Sequence, residues 1–219
     1  MRGMAESRFP DPRTATPEGI VAVGGRPEPE LLEEAYARGI FPWPVRDYPL
    51  LWFSPPERGL LFFDELHVPR SLAREQRRTR LTFTFDRAFE RVIRACRTVA
   101  RPHEKGTWIT PAMVRGFSEF HRKGHAHSVE AWEDGELVGG LYGVDAGGAF
   151  GGESMFHFRP NASKLALLHL IEHLRARGLR WLDIQVMTPH METLGARLVP
   201  REEFLTLLAN ARRRGLKLF

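Results

Sequence analysis

Cysteine is almost absent: Cys96 stands alone in 219 residues. No disulfide can close within the chain, and a zinc site built on several thiolates is excluded. A reducing cytoplasm is the expected compartment. No stretch approaches the ~18 consecutive apolar residues that cross a bilayer, so no membrane association is expected. The opening MRGMAESRFPDPRTATPEG lacks the apolar core of a secretory signal. Walker loop, GxSxG elbow, GxGxxG turn and HExxH helix are all missing, which removes the commonest nucleotide, hydrolase and metalloprotease designs. His169 and His173 have the i, i+4 spacing of a metal pair, but no third ligand is evident nearby. An exposed helix face is expected there instead, with no metal.

What the chain has in excess is arginine in one place. Between Arg70 and Arg101, ten arginines (70, 74, 77, 78, 80, 87, 91, 94, 97, 101) face Glu75, Asp86 and Glu90, a net +7 against +5 for the whole chain. Such a concentration is either an electrostatic footprint for a polyanion, nucleic acid first, or a solvated basic face.

The order of elements reads as α+β. Residues 1–58 form a small N-terminal domain that is irregular: one helix from Pro29 to Arg38 stopped by Gly39, then prolines at 42, 44, 49, 55 and 56. Those prolines argue against a long helix and against most sheet pairing. Residues 59–219 are more regular. Leu60–Phe63 and Leu81–Phe85 read as strands. Asp86 is placed to cap a helix with the apolar stripe Phe89, Val92, Ile93, Cys96 and Val99. Thr110-Pro111 opens another helix, closed by Gly124. His127–Glu133, the Asp134-Gly135 turn and Glu136–Val144 carry a hairpin signature. Ala149–Phe156 follows as a strand, then a helix capped by Asn161 and stopped by Gly178, a strand Trp181–Val186, and a helix Pro200–Arg213. Helices, a meander, then helix–strand–helix is the order of the acyltransferase fold used by CoA-dependent N-acetyltransferases (GNAT-like).

In WLDIQV the alternation sends Leu182, Ile184 and Val186 to one face and Trp181, Asp183 and Gln185 to the other. A carboxylate and an amide side by side on a central strand are either a buried structural pair or a polar site opening in a cleft. GGAFGGESMF sets Glu153 beside two glycine pairs, where a ligand can approach the sheet closely or where the strand merely bends.

The strings AYARGIFPWP, LLWFSPPERGLL, HVPRSL, GTWIT, GHAHSVEAW, GELVGGLYGV, GGESMF, NASKLALLHLI, LDIQV and LGARLVPREEFL occur in this order from about Pro17 to Leu208. Together they resemble the leucyl/phenylalanyl-tRNA–protein transferase family. The resemblance implies an aminoacyltransferase that moves Leu, Phe or Met from aminoacyl-tRNA to proteins beginning with Arg or Lys, marking them for degradation. It implies neither metal nor CoA, and a monomer suffices. Asp183, Gln185 and Glu153 take the places of the family's polar catalytic centre. Trp43 and Trp108 take those of walls of the aminoacyl pocket, with Tyr36, Leu141, Phe150 and Met155 near them. Arg77 and Arg78 take those of residues meeting the tRNA acceptor stem. Four departures stand out: Arg26 replaces an acid in VGGRPEPEL, Leu141 a methionine, Phe117 a tyrosine, and VMTPH replaces VLNDH.

Three rivals are weaker. An aminoacyl-tRNA-dependent cell-wall peptide ligase shares fold and donor but takes a peptidoglycan acceptor, and such chains are typically longer. A CoA-dependent N-acetyltransferase wants a Q/R-x-x-G-x-G/A turn opening a helix, whereas Arg175-Ala-Arg-Gly178-Leu-Arg180 closes one. A non-catalytic RNA-binding module leaves the Asp183/Gln185 pair idle.

Overall fold

The structure, a computed structural model, describes residues 7–99 and 107–219; Arg101 lies outside them. Strand β1 is Ile20–Val23. Helix α1, Pro29–Ala37, starts on proline and ends before Gly39, whose φ of 76° is open to glycine at low cost. Two short strands, β2 (Phe41–Trp43) and β3 (Leu51–Phe53), complete an antiparallel sheet of order β1-β3-β2. Sheet pairing therefore does occur in the proline-rich segment, against expectation. The proline within β2, Pro42, lies on an edge strand, where a missing N–H need not break a ladder.

β4 (Glu57–Phe62) belongs to the larger sheet. Then come α2 (Arg70–Arg78), β5 (Thr82–Phe85), α3 (Phe89–Thr98), α4 (Pro111–Arg122), β6 (Ala126–Glu133), β7 (Glu136–Asp145), β8 (Phe150–His157), α5 (Ala162–Ala176), β9 (Trp181–Gln185), α6 (Pro189–Thr193), β10 (Arg197–Pro200) and α7 (Arg201–Arg214). The seven-stranded sheet runs β10-β4-β9-β8-β7-β6-β5. Asp134 (φ 50°) and Gly135 (φ 82°) make the tight turn between β6 and β7. α3 and α4 cover one face with Val92, Ile93, Cys96 and Phe117; α5 covers the other with Leu165, Leu168 and Ile171. Gly116 lets residue 27 lie directly on α4, since a Cβ there would collide with the Pro27 carbonyl.

Two expected caps are otherwise employed. Asp86, at φ 58°, accepts the Ser128 N–H (2.8 Å) and pairs with His127 Nδ1 (2.7 Å). The start of α3 is served instead by the buried Glu130 on β6, which accepts the Ala88 N–H at 3.2 Å and the Thr84 hydroxyl at 2.5 Å. Asn161 precedes α5 in a left-handed conformation, and its amide donates to Glu75 (3.0 Å) rather than capping. His169 and His173 are half-buried, not on an open face. Their rings lie against Phe83 and Phe85, and His173 Nε2 meets the Leu218 carbonyl at 2.8 Å. No cluster of three or more metal-ligating side chains occurs among the described residues, and no helix there is long and apolar enough to cross a membrane.

What positions the site is the junction of β8 and β9. They are parallel neighbours paired at a single register, Gly151↔Asp183. Among the described residues no further register pair joins these two strands.

Candidate active site

β9 ends in a strained corner. Gln185 has φ 59°, and the Val186 N–H bonds back to the Ile184 carbonyl at 2.7 Å, so Gln185 is the apex of a γ-turn. A residue with a Cβ is held in that region only when its surroundings enforce it. The neighbouring ladder shifts register at the same place: Gly59 of β4 opposes Gln185 while Leu60 opposes Asp183. Asp183 Oδ1 accepts the Gln185 backbone N–H at 2.9 Å, tying the corner down.

Asp183 is itself buried and paired. Arg58 Nε reaches its Oδ1 at 2.8 Å and Arg58 Nη2 its Oδ2 at 2.7 Å, a bidentate bridge with Arg58 only 1% exposed. The Gln185 side-chain amide donates to Glu153 Oε1, which also accepts the Tyr36 hydroxyl at 2.7 Å. Glu153 is half-buried on β8. Loss of solvent round its carboxyl pushes its pKa up to about 7, opposed by the Tyr36 and Gln185 hydrogen bonds and reinforced by the Asp183 charge. Burial, then the Glu153 charge, holds Tyr36 well above its usual pKa, so it stays a donor.

Gln185 and Glu153 face a cavity of about 640 Å³. Its wall is mostly apolar: Trp43, Trp108, Leu141, Met155, Leu167, Leu170, Leu182 and Ile184, with Tyr142, Thr188, His190 and Met191 at other points. The indoles of Trp43 and Trp108 stack with centroids 5.6 Å apart and planes at 11°. A cavity so lined can accept an apolar group and place it beside an amide and a carboxyl.

The expected site residues thus separate. Trp43, Trp108, Leu141, Met155, Glu153 and Gln185 share one cavity. Asp183 stands behind Gln185, off the cavity wall. Tyr36 touches the site through Glu153 and does not line the cavity. Phe150 lies in packed core, 1% exposed and 5.4 Å from the Phe219 ring, away from the cavity. It is the first residue of β8, whose cavity and core sides are not distinguishable from GGAFGGESMF alone. Arg77 and Arg78 are exposed at the C-terminal end of α2.

Arg58 escaped sequence reasoning, along with the α5 leucines and His190. A signal for Arg58 exists: period-two alternation from Leu60 and Phe62 puts position 58 on their inward face. The α5 leucines read equally well as ordinary core.

Residues 60–209 match the leucyl/phenylalanyl-tRNA protein transferase family, and residues 25–56 match the N-terminal domain of that family. The leucyl/phenylalanyl-tRNA–protein transferase of Anaeromyxobacter dehalogenans (strain 2CP-C) is 53% identical over 206 residues, 94% of this chain and 88% of that protein. The one from Chromohalobacter salexigens is 53% identical over 192 residues, 88% and 75% of the two chains. Among solved structures, that of L-PGS from Bacillus licheniformis is 15% identical, with a TM-score of 0.43 over 74% of this chain and 52% of that one. By these sequence relationships the chain is an aminoacyltransferase. It belongs to the leucyl/phenylalanyl-tRNA protein transferase family.

Proposed function

We propose that the chain takes Leu, Phe or Met from an aminoacyl-tRNA and joins it to the α-amino group of an acceptor protein beginning with Arg or Lys. The observation that carries this reading is the apolar cavity walled by Trp43 and Trp108 that ends on Gln185 and Glu153. The aminoacyl side chain enters the slot, and its ester carbonyl lies toward the amide and carboxyl. The reaction balances without a cofactor: the amine nitrogen bonds to the carbonyl carbon, the ester C–O bond breaks, and the amine's proton goes to the departing ribose oxygen. A protein α-amino group has a pKa of about 7.7–8.0, so a useful fraction is already neutral at pH 7. Positioning supplies the rest, on the order of 7–11 kcal/mol in well-aligned cases.

In this reading Gln185 orients the incoming amine, and Asp183 acts through it. The latter is supported by the carboxylate's engagement with Arg58 and with the Gln185 N–H. Glu153 holds the donor's α-ammonium or the terminal adenosine. Arg77 and Arg78 meet the tRNA backbone. The apolar slot tolerates several donors because a missing methylene costs such a pocket only about 1–3 kcal/mol.

We also read residues 1–58 and 59–219 as two domains, the second GNAT-like, and the protein as a cytoplasmic monomer. The parallel pairing of β8 and β9 at only one register supports the fold reading. The direct experiment gives the protein radiolabelled Leu-tRNA or Phe-tRNA with two acceptors differing only in an N-terminal Arg or Ser. Label in acid-stable protein for Arg alone is expected; transfer to both or neither overturns the reading.

A further inference from the structure

Arg58 is one of the least exposed side chains in the protein, and a charge in such a place needs strong compensation. It has three kinds. Its guanidinium carbon lies 4.6 Å from the Phe41 ring centroid and 4.4 Å from that of Phe204, cation–π contacts from the N-terminal sheet and from α7. Its Nη1 donates to the Gly39 carbonyl at 3.3 Å. Its Nε and Nη2 bridge both oxygens of Asp183. A planar fork can do all of this at once; an ammonium cannot.

The consequence runs outward in one direction. Asp183 Oδ1, held by Arg58 Nε, receives the N–H of Gln185, whose left-handed backbone needs enforcement. That backbone directs the Gln185 side chain to Glu153 at the cavity. We propose that Arg58 is a positioning residue: gripped between Phe41 and Phe204, it fixes the Asp183 carboxylate that holds the Gln185 corner, and so aims the Gln185 amide into the cavity. Arg58 itself does not line that cavity. Seating α7, β2 and β9 on one guanidinium makes the aim of Gln185 depend on the docking of the N-terminal segment. The catalytic consequence rests on the function proposed above; the structural one does not.

The test compares wild type with Arg58→Lys, which keeps the buried charge but loses the fork. The chain has two glutamines, Gln76 and Gln185, so selective glutamine ¹⁵N labelling reports the corner directly, with exposed Gln76 as internal reference. The proposal expects that in Arg58→Lys the Gln185 backbone resonance moves and its side-chain amide exchanges faster with solvent, while Gln76 stays in place. It also expects kcat for aminoacyl transfer to fall about tenfold or more with KM for aminoacyl-tRNA within about threefold, the split for an interaction made in the transition state. Should Arg58→Lys fold poorly, Phe204→Leu removes one side of the grip while leaving the ion pair, and the same Gln185 signals are expected to shift more weakly. Unchanged Gln185 signals in a folded Arg58→Lys protein overturn the proposal. So do shifted signals with unchanged kcat. If wild type transfers nothing from aminoacyl-tRNA, the function reading fails, and the Gln185 signals still decide the clamp.

Discussion

Trp43 and Trp108 come from different parts of the chain, one on β2 and one just ahead of α4, and stack 5.6 Å apart at the cavity wall. The stacked pair forms one part of that wall. Trp43→Ala and Trp108→Ala are each expected to lower kcat/KM for Phe-tRNA by about tenfold, in line with the ~0.5–1.5 kcal/mol of an aromatic pair plus lost apolar area. The double variant is expected to fall short of the product of the two, because the rings share one contact. Steady-state kinetics with the three proteins checks this.

Glu153 gives a pH signature. Its pKa in the folded protein is raised to about 7 from the ordinary 4.5, because burial favours the neutral acid. A raised carboxyl pKa means the folded state binds the proton more tightly than the unfolded one. The associated stability is present in full below about pH 4.5 and disappears as pH rises through about 7. Relative to Glu153→Gln, which cannot ionise, wild type is expected to lose thermal stability across that window. Parallel melting temperatures of the two proteins from pH 4 to 8 would count against this environment for Glu153.

At position 185 the usual ranking of glycine and alanine should invert. In a strand, glycine is ordinarily the worse residue. At φ 59° a Cβ is strained, so Gln185→Gly is expected to melt higher than Gln185→Ala, by about 1 kcal/mol in stability. Both are expected to lose transfer activity. Equal stabilities would show that the corner relaxes freely.

Phe150 and Met155 lie on the same strand with different surroundings. Phe150→Leu is expected to cost about 0.5–3 kcal/mol of stability and to leave the Leu-to-Phe donor ratio unchanged. Met155→Ala is expected to shift that ratio toward Phe by enlarging the slot, within the roughly 10- to 200-fold range of such pockets. Competition between the two charged tRNAs measures it.

Arg77 and Arg78 are exposed on a helix that buries only Leu72. Arg77→Ala with Arg78→Ala is expected to weaken tRNA binding and flatten its salt dependence, by about 0.7–0.9 in log–log slope for each phosphate contact removed. An unchanged slope would remove both residues from the RNA interface.

Local signals made much of the fold legible. The Asp134-Gly135 hairpin, the Thr110-Pro111 helix start and the glycine stops at 39, 124 and 178 are written in a few adjacent residues, and their backbone geometry follows. α2 went unread because a helix with one buried side chain has no apolar stripe to detect. β10 and α6 are too short for periodicity to register. Asp86 and Asn161 have the chemistry of caps, but Glu130 and Glu75 outcompeted that use, and neither rival is near in sequence.

By itself the sequence determined the order of the longer elements, the basic segment, the lack of an intrachain disulfide and, through ten ordered motifs, the family. Tertiary structure decided which of the candidate residues share a cavity. It sent Phe150 into the core, set Asp183 behind Gln185, and joined Arg58 to Asp183. The physical reason is that hydrogen bonds, ion pairs and cavity walls are made between strands paired across long stretches of chain. Their register and the burial they impose exist only once the sheet has closed.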